Sequence, residues 1–252
     1  MRALVSAALL VTACASSPAD DAAEVSDGKG DRAAGSRFDE VDPTHSTLTF
    51  RRYINAALDL LDREDAELAG LTLWSIEAGY VQIDELRDLT CADFQRVRAD
   101  LPDAGLAEDD YTRLRTRGSD VAAAIEDALA GYMWSSRIYV ARGQTVRRLA
   151  ATLVHEVNHV INRSEVGYYD DLPTSAFIHE YRAFDAERVI DPAEYEGVDL
   201  VDFVLTTYEL DRAQMDPAVL AQPLTPRLLP DAEAWRARRV QDDVETVPPA
   251  CE

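Results

Sequence analysis

Two histidines four residues apart, His155 and His159, flank a glutamate in the run His155-Glu156-Val157-Asn158-His159. In a helix, residues at that spacing lie one above the other on the same face, so both imidazoles reach a single metal ion while Glu156 stands beside them. The surrounding residues fit a helix. On a wheel at about 100° per residue, Val146, Ala150, Leu153, Val154, Val157, Val160 and Ile161 gather in an apolar arc of roughly 120°. The two histidines fall on the other side, and packing alone gives no reason for that. Zinc suits such donors; it lowers the pKa of bound water and polarises a carbonyl. Glu156, poorly placed to bind the same ion as its neighbours, is free to accept the water proton and pass it to a leaving amine. The expected chemistry is amide hydrolysis without a covalent intermediate.

Zinc needs at least one more protein ligand, with a fourth position left for water. Two continuations of the chain offer one. The stretch from His159 to Glu165 resembles the metzincin spacing H-E-x-x-H-x-x-G-x-x-H, with Asn162 where Gly makes the turn and Glu165 where the third His belongs. Asn tolerates a left-handed turn better than most residues. The other continuation is a helix predicted over residues 174–190, which contains His179-Glu180-Tyr181-Arg182-Ala183-Phe184-Asp185-Ala186-Glu187. Glu180, Ala183 and Glu187 share one face of it, Phe177 and Phe184 flank that face, and a small residue one turn from a glutamate lets two helices approach closely.

This second arrangement resembles the gluzincin branch of the zinc metallopeptidases, in which a glutamate on a following helix completes the site. The resemblance covers only the stretch from about Ile138 to Ile190. It implies a mostly helical, zincin-like α+β fold, a peptide or protein substrate, and Glu180 as third ligand, with Glu187 in reserve. It further implies a Tyr or His that donates to the developing oxyanion, for which Tyr168, Tyr169 and His179 are the candidates. The strand before the motif helix would pair along its edge with an extended substrate. The chain departs from the thermolysin-like signature twice: His179 replaces an expected Asn, and Phe184 replaces an expected Asp. The task of orienting a ligand histidine falls instead to Glu187 or Asp185, and helical phase favours Glu187.

Two rival readings share the motif. One is a non-catalytic envelope protein that keeps zinc for binding or structure; the other is a metal-dependent hydrolase of a different amide, such as cell-wall peptide. Glu156 speaks for an enzyme, because a structural site has no need of a base between its ligands.

The elements that must position these residues are predicted from periodicity. Tyr53, Ile54, Ala57, Leu58 and Leu61 have helical spacing. Shorter helices are expected over 71–80, 83–89 and, after a Thr90 cap, 92–99; residues 101–105 break the run, and an irregular stretch reaches Gly118. Ser119 caps a helix over about 120–131. Arg137 to Ala141 is the one convincing strand in the second half. The motif helix is predicted over 144–162, a loop follows, and prolines 217, 223, 226 and 230 divide a helical remainder. Trp74, Trp134 and Trp235 are expected in the core, and His45 at the surface.

The N-terminus reads differently. Arg2 precedes an uncharged, mostly apolar run from Ala3 to Ala13, too short to cross a bilayer as a helix and suited to an export signal. Val11-Thr12-Ala13-Cys14 resembles a bacterial lipobox, which implies a signal peptide over 1–13, lipid on Cys14, and a place in the cell envelope with that lipid as the membrane anchor. Residues 14–37, poor in apolar side chains, are expected to form a flexible tether, leaving 38–252 as a single folded domain. With Cys14 lipidated, Cys91 and Cys251 remain as a possible disulfide pair. Across the 252 residues, 25 basic against 47 acidic side chains give a net charge of -22, which argues against nucleic acid or an anionic membrane surface as partner.

Overall fold

The computed structural model describes residues 48–64, 66–116, 118–134, 137–166 and 173–224. Helices α1 (Phe50–Glu64) and α2 (Ala66–Glu77) lead into strand β1 (Gln82–Glu85) and a 3-10 turn at Leu86–Asp88. Helices α3 (Cys91–Asp100), α4 (Tyr111–Leu114) and α5 (Asp120–Ala128) precede strands β2 (Gly131–Trp134) and β3 (Arg137–Val140). The motif lies on α6 (Val146–Val166), followed by α7 (Pro173–Ile190), α8 (Leu200–Thr207) and α9 (Pro217–Ala221). The class is α+β, mostly helical, with one three-stranded sheet among the described residues.

Strand order is β1-β3-β2, with β1 parallel and β2 antiparallel to β3. Because side chains alternate across a strand, the sheet has two apolar faces. Ile83, Met133, Ile138 and Val140 face a cluster built with α1 and α6, where Tyr53, Leu60, Leu149 and Leu153 are buried. Tyr132 and Tyr139 face the opposite cluster with Phe94, Val97, Val121 and Ile125 from α3 and α5. A third cluster joins Phe177 and Phe184 of α7 to Tyr195, Leu200, Val204 and Tyr208. Helix α7 contributes Ala186 and Ile190 to the first cluster and Phe177 and Phe184 to the third, so it links the two. Each fully buried large side chain contributes roughly 1.5–3 kcal/mol through area removed from water.

Side chains fix where the helices start. Thr90 accepts from the Asp93 amide at 3.1 Å and Ser119 from the Ala122 amide at 3.4 Å, as their sequence positions suggest. Asp199 and Asp216 do the same for α8 and α9. The Gln144 side chain then ties the sheet to α6. Its amide donates to the carbonyls of Ala130 at 2.7 Å and Ala141 at 3.0 Å, while its oxygen accepts from Thr152 at 2.7 Å.

Several sequence expectations are corrected. The segment 83–89 is a strand and a 3-10 turn, not a helix, because Ile83 pairs with Ile138 and the buried Glu85 meets Arg87 and Arg142. The helix expected to reach Gly131 stops at Ala128, where Leu129 turns extended and the chain enters β2. Strand β3 is central, with both edges taken by β1 and β2, so it has no edge to offer a substrate. Tyr139 on it is buried and donates to Asp93 at 2.6 Å. Trp74 is 56 % exposed and packs against Tyr80 at the surface rather than in the core. Trp134 is partly buried, with Arg96 4.4 Å above its ring. No helix among the described residues is long and apolar enough to cross a membrane. The expected signal peptide, tether, His45, Trp235 and Cys251 lie outside the described residues. Cys91 is disulfide-bonded.

Candidate metal centre

Helix α6 presents His155 and His159 toward α7, which presents Glu180 back to them, and all three side chains are buried. Nε2 of His155 is 3.6 Å from one carboxylate oxygen of Glu180, and Nε2 of His159 is 3.7 Å from the other. One ligand atom from each residue lies within 4.8 Å of the rest, so the three could hold a metal ion. The fit can be tested on bond lengths. Tetrahedral zinc bonds of about 2.0–2.2 Å put neighbouring ligand atoms about 3.4 Å apart, close to the separations seen. The donor set of two imidazoles and a carboxylate suits the same ion.

The orientation of His155 has a visible cause. Its Nδ1 is 2.9 Å from a carboxylate oxygen of Glu187, which turns Nε2 toward Glu180. Arg148 donates to the other oxygen of Glu187, and buried Tyr195, which packs on Phe184, stands near the same pair. Glu187 therefore takes the orienting role that its helical phase suggested and sits behind His155, outside the group that could hold the metal. Asp185 is turned away and pairs with Arg188. Phe184, at the position where the signature expects an aspartate, sets its ring against the His155 imidazole at 4.6 Å, edge to face. His179 is buried and stacks on His159 at 5.7 Å with 18° between the rings.

The alternative third ligand, Glu165, depended on a turn at Asn162. Helix α6 instead runs unbroken through Val166, and Asn162 accepts from buried Arg182 at 3.0 Å. Arg182 also donates to the Pro223 carbonyl at 3.3 Å, fastening the chain beyond α9 to α7. Tyr168 and Tyr169 lie outside the described residues.

Burial and neighbouring charge set the titration of the cluster. Burial works to lower the pKa of His155, but the Glu187 hydrogen bond and the surrounding carboxylates outweigh it and raise the imidazole to about 9. Burial would raise Glu187, yet the bond from His155 and the Arg148 charge hold its carboxyl below the usual range. Glu156 has burial as its leading cause and is pushed up to about 7, with His155 opposing and the other two glutamates assisting. A carboxyl poised near neutrality is suited to both accepting and returning a proton.

Sequence reasoning missed three contributors. Arg148 stands seven residues before His155, two helical turns away, and that phase was the available signal for it. Tyr195 had none. Gly131 had none either: it begins β2 directly against Glu156 and Thr152. Comparison with protein-family models, curated proteins and solved structures finds no match.

Proposed function

We propose that the protein is a zinc metallopeptidase with a zincin-like, gluzincin-type site, exported and held at a bacterial envelope by lipid on Cys14. The observation that carries this reading is the buried convergence of His155, His159 and Glu180 within 4.8 Å, with Glu156 between the two histidines in sequence. A zinc ion held by those three residues would supply Lewis acidity toward a substrate carbonyl and toward water.

The chain's own residues would do the rest. Glu156 takes a proton from the attacking water and returns it to the leaving nitrogen, a role supported by its burial and its raised pKa. Glu187 and Arg148 keep His155 in the orientation that binding requires. His179, and Tyr168 in the segment that follows α6, are the proposed donors to the developing oxyanion.

The test pairs metal content with cleavage. Glu180→Ala is expected to lose the roughly one zinc per chain that wild type holds, while Glu165→Ala keeps it. Glu156→Gln is expected to keep the metal and lose cleavage of a peptide library by roughly 10²–10⁴-fold. Equal zinc in wild type and Glu180→Ala would remove the gluzincin assignment; a wild type that holds zinc and cleaves nothing would favour a binding protein.

A further inference from the structure

Among glycines 70, 79, 105, 118, 131 and 197, Gly131 alone has surroundings that leave no room for a side chain. A methyl group on its α-carbon would lie 2.7 Å from Oε1 and 3.2 Å from Cγ of Glu156, and 2.6 Å from Cγ2 of Thr152. At Gly70, Gly79, Gly105, Gly118 and Gly197 the same methyl would meet nothing within 4 Å. Nor is the backbone of Gly131 left-handed, so conformational freedom does not explain the residue and close approach does.

The surroundings of Gly131 are fixed on two sides. Its partner in the sheet is Val140, and the adjoining Ala130 carbonyl accepts from the Ala141 amide at 2.9 Å and from the Gln144 side chain at 2.7 Å. Thr152 is held in turn by its hydroxyl, which donates to Gln144 at 2.7 Å. Strand and threonine are thus anchored to the same glutamine. The remaining wall is the Glu156 carboxylate, on the turn of α6 between His155 and His159. Anything added at Gly131 pushes on that carboxylate.

We propose that Gly131 is a positioning residue: its bare α-carbon sets where the Glu156 carboxylate sits relative to His155, His159 and Glu180. What this does for turnover rests on the peptidase reading of Glu156. The contact itself does not. The start of an otherwise ordinary strand is thereby part of the site, and a side chain there displaces the general base while leaving the metal-holding residues in place. A misplacement on the order of 1 Å of such a group costs about 100-fold in rate.

The experiment uses the full-length protein and a Thr152→Ser background, which removes the Cγ2 contact and keeps the hydroxyl to Gln144. Gly131→Ala in that background is expected to hold as much zinc as Thr152→Ser alone. Its kcat is expected to fall about 100-fold while KM stays within about twofold, since proton transfer is a transition-state interaction. A thermal cycle reads the contact without activity. Gly131→Ala should lower the melting midpoint by about 3 °C more when Glu156 is intact than when Glu156→Ala has opened the space. Unchanged kcat with intact zinc, or equal thermal effects in the two backgrounds, overturns the proposal. Should wild type cleave nothing, the peptidase reading fails and the thermal cycle alone decides Gly131. Should Gly131→Ala not fold, recovery of soluble protein on adding Glu156→Ala supports the contact, and no recovery overturns it.

Discussion

At the scale of single residues, His155 is held from both ends of its ring. Glu187 takes Nδ1 and, with Arg148 on its other oxygen, remains charged although it is only 2 % exposed. An ionised carboxylate there does two things: it fixes which nitrogen faces Glu180, and it raises the basicity of that nitrogen. Glu187→Gln keeps the size and an acceptor for Nδ1 but removes the charge, and it leaves the Arg148 guanidinium facing a neutral amide. Zinc affinity is expected to fall roughly 10–100-fold, read by competition against a chelating dye at fixed pH. Asp185→Asn on the same helix, whose partner is Arg188, should leave that affinity where it was. Equal affinities for Glu187→Gln and wild type would mean that packing against Phe184 is enough to orient the imidazole.

At the scale of elements, the site depends on how closely α6 and α7 approach. Glu180 and Glu187 both reach His155, and Ala183, fully buried, lies on the same face of α7 between them. Ala183→Leu adds bulk to that contact and is expected to cost about 1–3 kcal/mol in urea unfolding, with metal affinity falling as Glu180 is levered away from the histidines. A destabilised variant with wild-type zinc affinity would show that the helices separate without parting the cluster. The closeness of this pair was legible in the sequence, since both helices are long, the apolar arc of α6 is periodic, and Ala183 stands one turn from Glu180 on the face of α7 that Phe177 and Phe184 flank. The caps Thr90 and Ser119 were legible for the same local reasons. Strands β1 and β2 were not. Each is four residues long, β1 mixes Ile83 with Gln82, Asp84 and Glu85, and β2 opens on a glycine that local propensity reads as a helix end. What makes them strands is pairing with β3, a tertiary effect absent from any short window. The same holds for Gly131, whose role exists only once the Glu156 carboxylate has been brought against it, while Arg148 had its helical phase as a signal but no partner until the distant Glu187 was placed beside it.

At the scale of the whole molecule, the proposed metal would tie two apolar clusters together. Its residues on α6 stand beside the core that backs the sheet, and Glu180 stands on the helix that also carries Phe177 and Phe184 into the cluster with α8. Binding to the folded state alone stabilises it by RT ln(1 + [metal]/Kd), about 4 kcal/mol when the free metal is a thousand times Kd. The effect should depend on pH with a definite sign. In the metal-free protein the His155 pKa is raised to about 9 from 6.5, so its protonated pairing with Glu187 contributes stability fully below about pH 6.5 and loses it as pH rises through about 9. Zinc needs the neutral imidazole, so each unit of pH gained below 9 removes about tenfold of proton competition, worth about 1.4 kcal/mol. Glu156 acts in the same sense. Its pKa is raised to about 7, so the neutral form contributes stability to the metal-free protein that is lost as pH rises through about 7, and a nearby cation favours the ionised form. The difference in melting midpoint between zinc-loaded and chelator-treated protein is therefore expected to widen by roughly 3–5 °C per unit from about pH 6 to 8.5. In Glu180→Ala the difference should be near zero throughout, and a wild-type difference that is flat with pH would mean that the metal does not displace a proton from His155.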